Sequence, residues 1–217
     1  MTGASVQKDR ARIAMHKQSG ASGLLKTSGV NIAFSKQGLD KLGLNTGDGD
    51  KLNDAVFDAG MLSDAQSLGD KGTTGQDASL LRNIDGLILV TRDCRSIVTD
   101  AIKDVKDLFG GAQQSSITEA FSIVGDVRPG TEDGHGHFGF EDGISQPAMA
   151  GVEIAPQPGQ VQIPGGIVLL GREGDNDDSK NLIARPSWAV DGSFLCFRKL
   201  AQLVPEFDEF LTQNALL

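Results

Sequence analysis

The stretch GLILVTRDCRSIVTDAIKDVKDLFGG, residues 86–111, predicts a strand followed directly by an amphipathic helix. Gly86 to Thr91 is an apolar run of strand length. After it, seven apolar residues recur at the spacing of one helix face: Ile97, Val98, Ala101, Ile102, Val105, Leu108 and Phe109. Asp93 is the predicted N-cap of this helix, and Gly110 and Gly111 close it.

Shorter elements are predicted on both sides of this strand and helix. Upstream, residues 30–34 read as a strand and residues 37–43 as a turn of helix. Residues 44–85 form a long connection with one short helix around 55–62. Downstream, strands are predicted at Ile117 to Val127, Gly166 to Leu170 and Gly192 to Leu200. Pro205 suits the first turn of a closing helix. Together these elements indicate an α+β fold.

The composition of the chain excludes several classes of function. With 217 residues it fits one domain, or one and a half, and its mean hydropathy of −0.17 is that of a globular protein. The apolar runs are strand-sized, so no membrane partner is expected. A net charge of −9 and a pI near 4.7 argue against nucleic acid as a partner. The acidic run Asp175 to Asp178 is predicted to be a solvated loop.

Two cysteines and the first 29 residues bear on the compartment. Cys94 and Cys196 are too few for a disulfide framework and are predicted to be buried free thiols. Met1 to Gly29 lacks the apolar core of a secretory signal and is rich in Lys, Ser and Gly. We expect this segment to be flexible, in a chain that is either cytosolic as written or has lost its true start.

The stretch GHGHFGFEDGISQP, residues 134–147, is the candidate site. Asp142 follows Gly139 and precedes Gly143, and glycines allow sharp turns and the close approach of a flat ligand. An Asp held on such a loop can carry a proton for a small reactant. Equally, its carboxylate can only hydrogen-bond its own loop, as Asp often does in turns.

A metal site is the other hypothesis for this loop. His135 and His137 lie two residues apart, which on extended backbone puts both imidazoles on one side. Carboxylates that could complete such a site are Glu132, Asp133, Glu141 and Asp142. A nucleophile elbow, a phosphate-binding loop and a dinucleotide fingerprint are absent from the sequence.

Residues 30–217 resemble the N-terminal half of the dye-decolorizing peroxidases, most closely the fungal type. The motif GFEDG at 139–143 matches the Gly-x-x-Asp-Gly signature of that family. Further matching stretches are NIAFS at 31–35, VRPG at 127–130, ISQP at 144–147, RPSWA at 185–189, GSFL at 192–195 and LVPEF at 203–207.

The resemblance implies a fold and a domain division. The expected fold is a ferredoxin-like antiparallel sheet with packed helices, as the incomplete first domain of a two-domain peroxidase. Residues 1–29 would be a flexible or truncated N-terminal segment, and residues 30–150 a partial ferredoxin-like domain ending in the GFEDG loop. Residues 151–217 would be the connection and the start of the second domain.

The resemblance also implies a haem enzyme that uses hydrogen peroxide to oxidise dyes and phenolic aromatics. Asp142 would lie on the distal side of a b-type haem and shuttle a proton between the peroxide oxygens. The residues that would contact the haem are Gly139, Gly143, Ile144 and Gln146. Trp188 is expected to be a packing residue and not a relay for electrons.

Some parts of the family pattern are not found in this sequence. The resemblance places the iron-ligating His and the distal Arg beyond residue 217, while Arg185 and Arg198 match other family positions. The Gln-Gly-Asp entry motif of the family is not recognisable in residues 1–29. We therefore expect a chain that acts with its C-terminal half, or a haem-free binding protein with that half or a second copy as partner. By resemblance the location would be extracellular, with the cytoplasm as the alternative.

Overall fold

The computed structural model of the chain describes residues 3–23, 25, 28–47, 49–70, 83–92, 94–111, 116–141, 147–151, 156 and 158–215. The chain divides into two compact units. The first contains Met1–Asn45 and Phe57–Ser122, and the second contains Thr46–Val56 and Ile123–Leu217. The domain boundary predicted at residue 150 rests on the resemblance to the family and stays a prediction.

The first unit holds most of the regular structure. The elements that begin there are α1 (Gly3–Gln18), β1 (Ser28–Phe34), α2 (Lys36–Lys41), β2 (Gly86–Arg92) and α4 (Arg95–Leu108). The short helix α3 (Ala55–Ala59) and a 3-10 turn at Met61–Asp64 follow α2 in the chain. Helix α1 occupies the segment that composition alone suggested to be flexible.

The predicted strand and helix of residues 86–111 are confirmed. Strand β2 pairs antiparallel with β1 over its whole length, from Ser28 opposite Arg92 to Phe34 opposite Gly86. Helix α4 contacts β2 and buries Ala101 on the face that the spacing predicts. Leu108 is the exception on that face, with 83% of its surface exposed. Asp93 lies outside the described residues, and Cys94 takes the N-cap position.

Helix α2 is joined to the start of β2 through Asp85. Ser35 caps the helix, because its Oγ accepts a hydrogen bond from the Gly38 N–H at 3.1 Å. The Ser35 N–H donates to the Asp85 carbonyl at 3.1 Å, and Lys41 Nζ lies 2.8 Å from both Asp85 carboxylate oxygens. A Cβ at Gly38 would come within 1.8 Å of the Asp85 carbonyl oxygen, so only glycine fits.

We expect Gly38→Ala to destabilise the first unit by about 1–3 kcal/mol, since the added methyl must displace backbone. Thermal unfolding followed by circular dichroism measures the change. Gly125→Ala is the control, because a Cβ there meets no atom within 4 Å. Equal unfolding midpoints for the two variants would contradict the close approach of Gly38 to Asp85.

The second unit is built mainly from turns. Strands β3 (Ala148–Met149) and β4 (Gln162–Ile163) pair in parallel, and 3-10 turns lie at Gly130–Glu132 and Gly165–Ile167. The predicted closing helix is confirmed as α5 (Val204–Gln213), with proline in its first turn. The buried apolar residues are Leu39, Ala65 and Ala101 in the first unit and Leu52, Leu170 and Ala189 in the second.

Three predicted strands are wrong, because no strand is assigned at 117–127, 166–170 or 192–200, all of which the structure describes. In the second of these, the Leu169 N–H donates to the Gly165 carbonyl at 2.8 Å and the chain coils after Pro164. An apolar run becomes a strand only when another strand pairs with it. The pattern of one segment cannot supply that partner.

Two further predictions bear on exposure. Cys94 and Cys196 are exposed, so the prediction of buried thiols is wrong. Cys94 is the N-cap residue of α4, and Cys196 lies in the segment 192–200 that forms no strand. Within the described ranges, helices are too short or too polar to cross a membrane.

Candidate functional site

Residues 135–141 form a tight hairpin directly before Asp142. His135 pairs with Glu141 in an antiparallel bridge, and the Gly136 N–H donates to the Phe140 carbonyl at 2.8 Å. The turn between them closes where the Gly139 N–H donates to the Gly136 carbonyl at 3.0 Å. Gly139 has a φ of +87°, a conformation that favours glycine. The candidate loop is therefore structured up to Glu141.

Arg128 ties the hairpin to the turn that precedes it. Its Nη1 donates to the Gly136 carbonyl at 3.0 Å and lies 3.0 Å from a carboxylate oxygen of Glu132. The Gly136 carbonyl thus accepts hydrogen bonds from both Arg128 and Gly139. A hydrogen bond from a charged donor is stronger than a neutral one, so this contact restrains the base of the hairpin.

Helix α5 supports the other side of the hairpin through Phe207. The ring of Phe207 lies 4.6 Å from that of Phe138 in a tilted arrangement, and 6.0 Å from that of Phe140 in an edge arrangement. Both separations are within the favourable range for aromatic pairs. Phe207 of α5 is therefore a contact of the candidate site.

Of the five residues predicted for the haem site, the structure describes one, Gly139. Asp142, Gly143, Ile144 and Gln146 lie outside the described residues, so their roles stay predictions. Among the described residues, no atom lies within 4 Å of the position that a Cβ at Gly139 would take. The hairpin is therefore open at Gly139, which fits the approach of a flat cofactor to its backbone.

The metal hypothesis gains no support from the part of the chain that is described. His135 Nδ1 lies 3.4 Å from the Asp133 carbonyl oxygen, and His137 is exposed. Among the described residues, no group of three His, Cys, Asp or Glu side chains is placed to hold a metal. His16, in α1, has its Nε2 2.8 Å from the Gly23 carbonyl oxygen.

A buried ion pair in the second unit was missed by the sequence analysis. Asp175, predicted to be in a solvated loop, has 8% of its side chain exposed, and Arg185 has 2%. Two parallel hydrogen bonds of 2.8 Å join the guanidinium to the carboxylate. Because of this contact, the pKa of Asp175 is lowered and that of Arg185 is raised; the Gly171 N–H, 2.7 Å from Asp175, also lowers the carboxyl pKa.

Arg185 also anchors the segment 50–54 of the same unit. Its Nη1 donates to the Leu52 carbonyl at 2.7 Å, and its Nη2 lies 3.6 Å from the Asp54 carboxylate. Nearby, the Trp188 indole N–H donates to the Asp50 carboxylate at 2.7 Å. The RPSWA stretch therefore holds two segments together, and all three guanidinium nitrogens have partners. This agrees with the expected packing role of Trp188.

Comparison with known proteins identifies the family. The sequence model of the DyP dimeric alpha+beta barrel domain matches residues 1–129. A dye-decolorizing peroxidase of Mycena epipterygia is 43% identical over 187 residues, covering 86% of this chain and 33% of that protein. A solved ancestral D-type dye-decolorizing peroxidase has a TM-score of 0.82 at 49% identity, covering 99% of this chain and 43% of that one.

A further solved dye-decolorizing peroxidase, in complex with 2,6-dimethoxyphenol, has a TM-score of 0.72 at 41% identity and covers 87% of this chain and 40% of that one. The chain spans about a third of the length of the curated relatives that it matches. The α+β expectation is confirmed by the matched domain and by the antiparallel pairing of β1 and β2. Since that domain covers more than half of its residues, the chain belongs to the dye-decolorizing peroxidase family, in its fungal type.

Proposed function

We propose that this chain is the N-terminal part of a DyP-type haem peroxidase, which oxidises dyes and phenolic aromatics with hydrogen peroxide. The observation that carries the proposal is the ordered hairpin at 135–141, which leads directly into the Asp-Gly of the family motif at 142–143. A proton carrier has to be held near its reactant, and this hairpin provides a fixed starting point for Asp142.

Haem b is the proposed cofactor, and the support for it among the described residues is the exposed backbone at Gly139. Gly139 presents open backbone, and the following residues Gly143, Ile144 and Gln146 are proposed to continue that wall. The haem would supply the iron at which peroxide is reduced. The resemblance assigns ligation of the iron to residues beyond 217, so the proposal applies to the protein that contains them.

Asp142 is proposed to move one proton within the bound peroxide. Its carboxylate would accept the proton from the first oxygen and donate it to the second, which would leave as water when the haem supplies the two electrons that break the O–O bond. Such a transfer by a positioned side chain contributes about 10²–10⁴-fold to a rate. The hairpin contributes by fixing the residue before Asp142, so that less freedom is lost when the peroxide arrives.

The proposed reducing substrates are electron-rich phenols. A related enzyme has been solved with 2,6-dimethoxyphenol, and several relatives are named for decolorizing dyes. An extracellular location belongs to the same proposal, since it rests on the resemblance alone.

Haem titration and peroxide turnover test the proposed function. The protein from the complete transcript is titrated with hemin while the Soret band is recorded, and then assayed for peroxide-dependent oxidation of 2,6-dimethoxyphenol. We expect saturation at one haem per chain and turnover well above that of free hemin. The same assays on residues 1–217 show what this part does alone. A full-length protein that neither binds hemin to saturation nor oxidises 2,6-dimethoxyphenol with peroxide would exclude the proposed peroxidase function.

A haem-free binding or interaction protein is the second candidate. It is favoured by the segment 194–203, in which five large apolar residues are exposed: Phe194, Leu195, Phe197, Leu200 and Leu203. Apolar surface on this scale is typical of an interaction site. This candidate predicts no haem uptake and a stable oligomer or complex, which light scattering on the eluting protein measures. A monomer that binds haem would exclude it.

A further inference from the structure

Two side chains from outside the hairpin at 135–141 contact it, in addition to the backbone hydrogen bond of 3.0 Å from the His135 N–H to the Glu132 carbonyl. On one side Arg128 donates to the Gly136 carbonyl, and on the other Phe207 contacts the rings of Phe138 and Phe140. Each contact comes from a different segment of the second unit. Two independent restraints on seven residues leave the hairpin little freedom to shift as a body.

The Arg128 side chain contacts the backbone of the hairpin and not one of its side chains. Nη1 is 3.0 Å from the Gly136 oxygen, and Glu132 orients the same nitrogen from 3.0 Å. Without the guanidinium, the hydrogen bond from Gly139 is what remains at the Gly136 carbonyl among the described residues. Both contacts use the same nitrogen of a rigid, planar guanidinium, and lysine supplies the charge on a more flexible side chain.

The Phe207 contact joins the hairpin to α5. Its ring touches both Phe138 and Phe140, two residues apart on the hairpin. Replacement by leucine keeps the residue apolar but removes both ring pairs. A shift of about 1 Å in a reacting group can lower a rate about 10²-fold, so a small displacement of the hairpin is enough to lower the rate of peroxide reduction.

We propose that Arg128 and Phe207 are positioning residues for Asp142, acting through the 135–141 hairpin. The inference rests on the proposed function, because it assumes that Asp142 carries the proton. Glu141, the last described residue of the hairpin, directly precedes Asp142 in the sequence, which is why a restraint on the hairpin is proposed to act on Asp142. Neither Arg128 nor Phe207 touches the reactants in this proposal.

A double-mutant cycle tests the inference in the haem-loaded protein from the complete transcript. We expect Arg128→Ala and Phe207→Leu each to lower the rate constant for peroxide reduction by about 10–100-fold, with Arg128→Lys intermediate. In the Asp142→Asn background the same changes should cost less than about 2-fold, because their effect passes through Asp142. Arg12→Ala and Phe210→Leu are the controls: an exposed arginine of α1, and an exposed phenylalanine of α5 next to Phe207 in the helix.

Amide hydrogen exchange supplies a readout that needs no haem. The Gly136 and Gly139 N–H groups donate two hydrogen bonds within the described part of the hairpin, and we expect them to exchange about 10-fold faster in Arg128→Ala, with the unfolding midpoint unchanged. Unchanged exchange would show that Arg128 does not restrain the hairpin. That result would overturn the inference.

The outcomes separate this inference from the proposed function. Full activity of Asp142→Asn would overturn the role of Asp142 and the positioning role together. A large loss in Asp142→Asn, with equal further losses on adding Arg128→Ala or Phe207→Leu, would overturn the positioning role alone. Losses that vanish in the Asp142→Asn background would establish it.

Discussion

Asp142→Asn is expected to lower the rate constant for peroxide reduction by about 10²–10⁴-fold, the usual contribution of a positioned acid–base group. Asparagine keeps the size and polarity of the side chain but cannot accept and return a proton. The loss should appear in the peroxide step, while binding of haem, followed by its Soret band, stays unchanged. Stopped-flow mixing of the haem-loaded protein with peroxide measures the rate constant.

The control for Asp142→Asn is Asp178→Asn, which removes an exposed carboxylate of the second unit. It changes the net charge of the protein equally, so it reports any effect of overall charge on peroxide entry or haem binding. We expect it to stay within about 2-fold of the wild type, since exposed charges act weakly at a distance. A matching loss in both variants would assign the effect to charge and remove the acid–base role.

Local patterns predicted those elements whose own residues carry a clear signal, such as an apolar run, an apolar helix face or a proline in the first turn. The apolar face of α4 and the strand before it follow from spacing alone, and Pro205 marks the first turn of α5. β1 and β2 are short apolar runs that pair with each other, so each supplies the other's ladder. In these cases the pattern and the packing agree.

The same reasoning failed where the pattern of a segment does not reveal the contacts that the segment makes. Residues 117–127 and 192–200 have strand-like composition, yet neither forms a ladder in the described structure. Asp175 has the sequence environment of a solvated loop, with Gly174 before it and more acidic residues after it. Its burial results from Arg185, ten residues away, which no local periodicity indicates.

The candidate site was only partly predictable for a similar reason. The motif itself identifies the loop, and the positive φ of Gly139 agrees with the glycine found there. The two supports of the hairpin, Arg128 and Phe207, were named only as parts of the VRPG and LVPEF stretches. Their roles depend on contacts to a backbone carbonyl and to two rings, and such contacts leave no periodic signal.

Arg185→Met is expected to destabilise the second unit by about 3–5 kcal/mol, because it removes one partner of a buried ion pair. Methionine fills much of the space of the arginine stem, but it leaves the Asp175 carboxylate buried with the Gly171 N–H as its remaining partner among the contacts described above. The hydrogen bond to the Leu52 carbonyl is lost as well. Urea unfolding followed by the fluorescence of Trp188, the single tryptophan, measures the loss within this unit.

Arg172→Met is the matched control, since Arg172 and Asp191 form an ion pair in the same unit with both side chains more than half exposed. Exposed pairs contribute little, so this variant should unfold near the wild-type midpoint. The dependence of unfolding on pH is a second measurement, because the pKa of Asp175 and that of Asp191 are both lowered by their arginine partners. The lowered pKa of Asp175 means that its pairing stabilises the fold fully above an unfolded pKa of about 3.9 and that this contribution is lost as the pH falls through the folded value. Arg185→Met should remove this part of the acid sensitivity. A urea midpoint of Arg185→Met close to that of Arg172→Met would show that the buried ion pair contributes no stability.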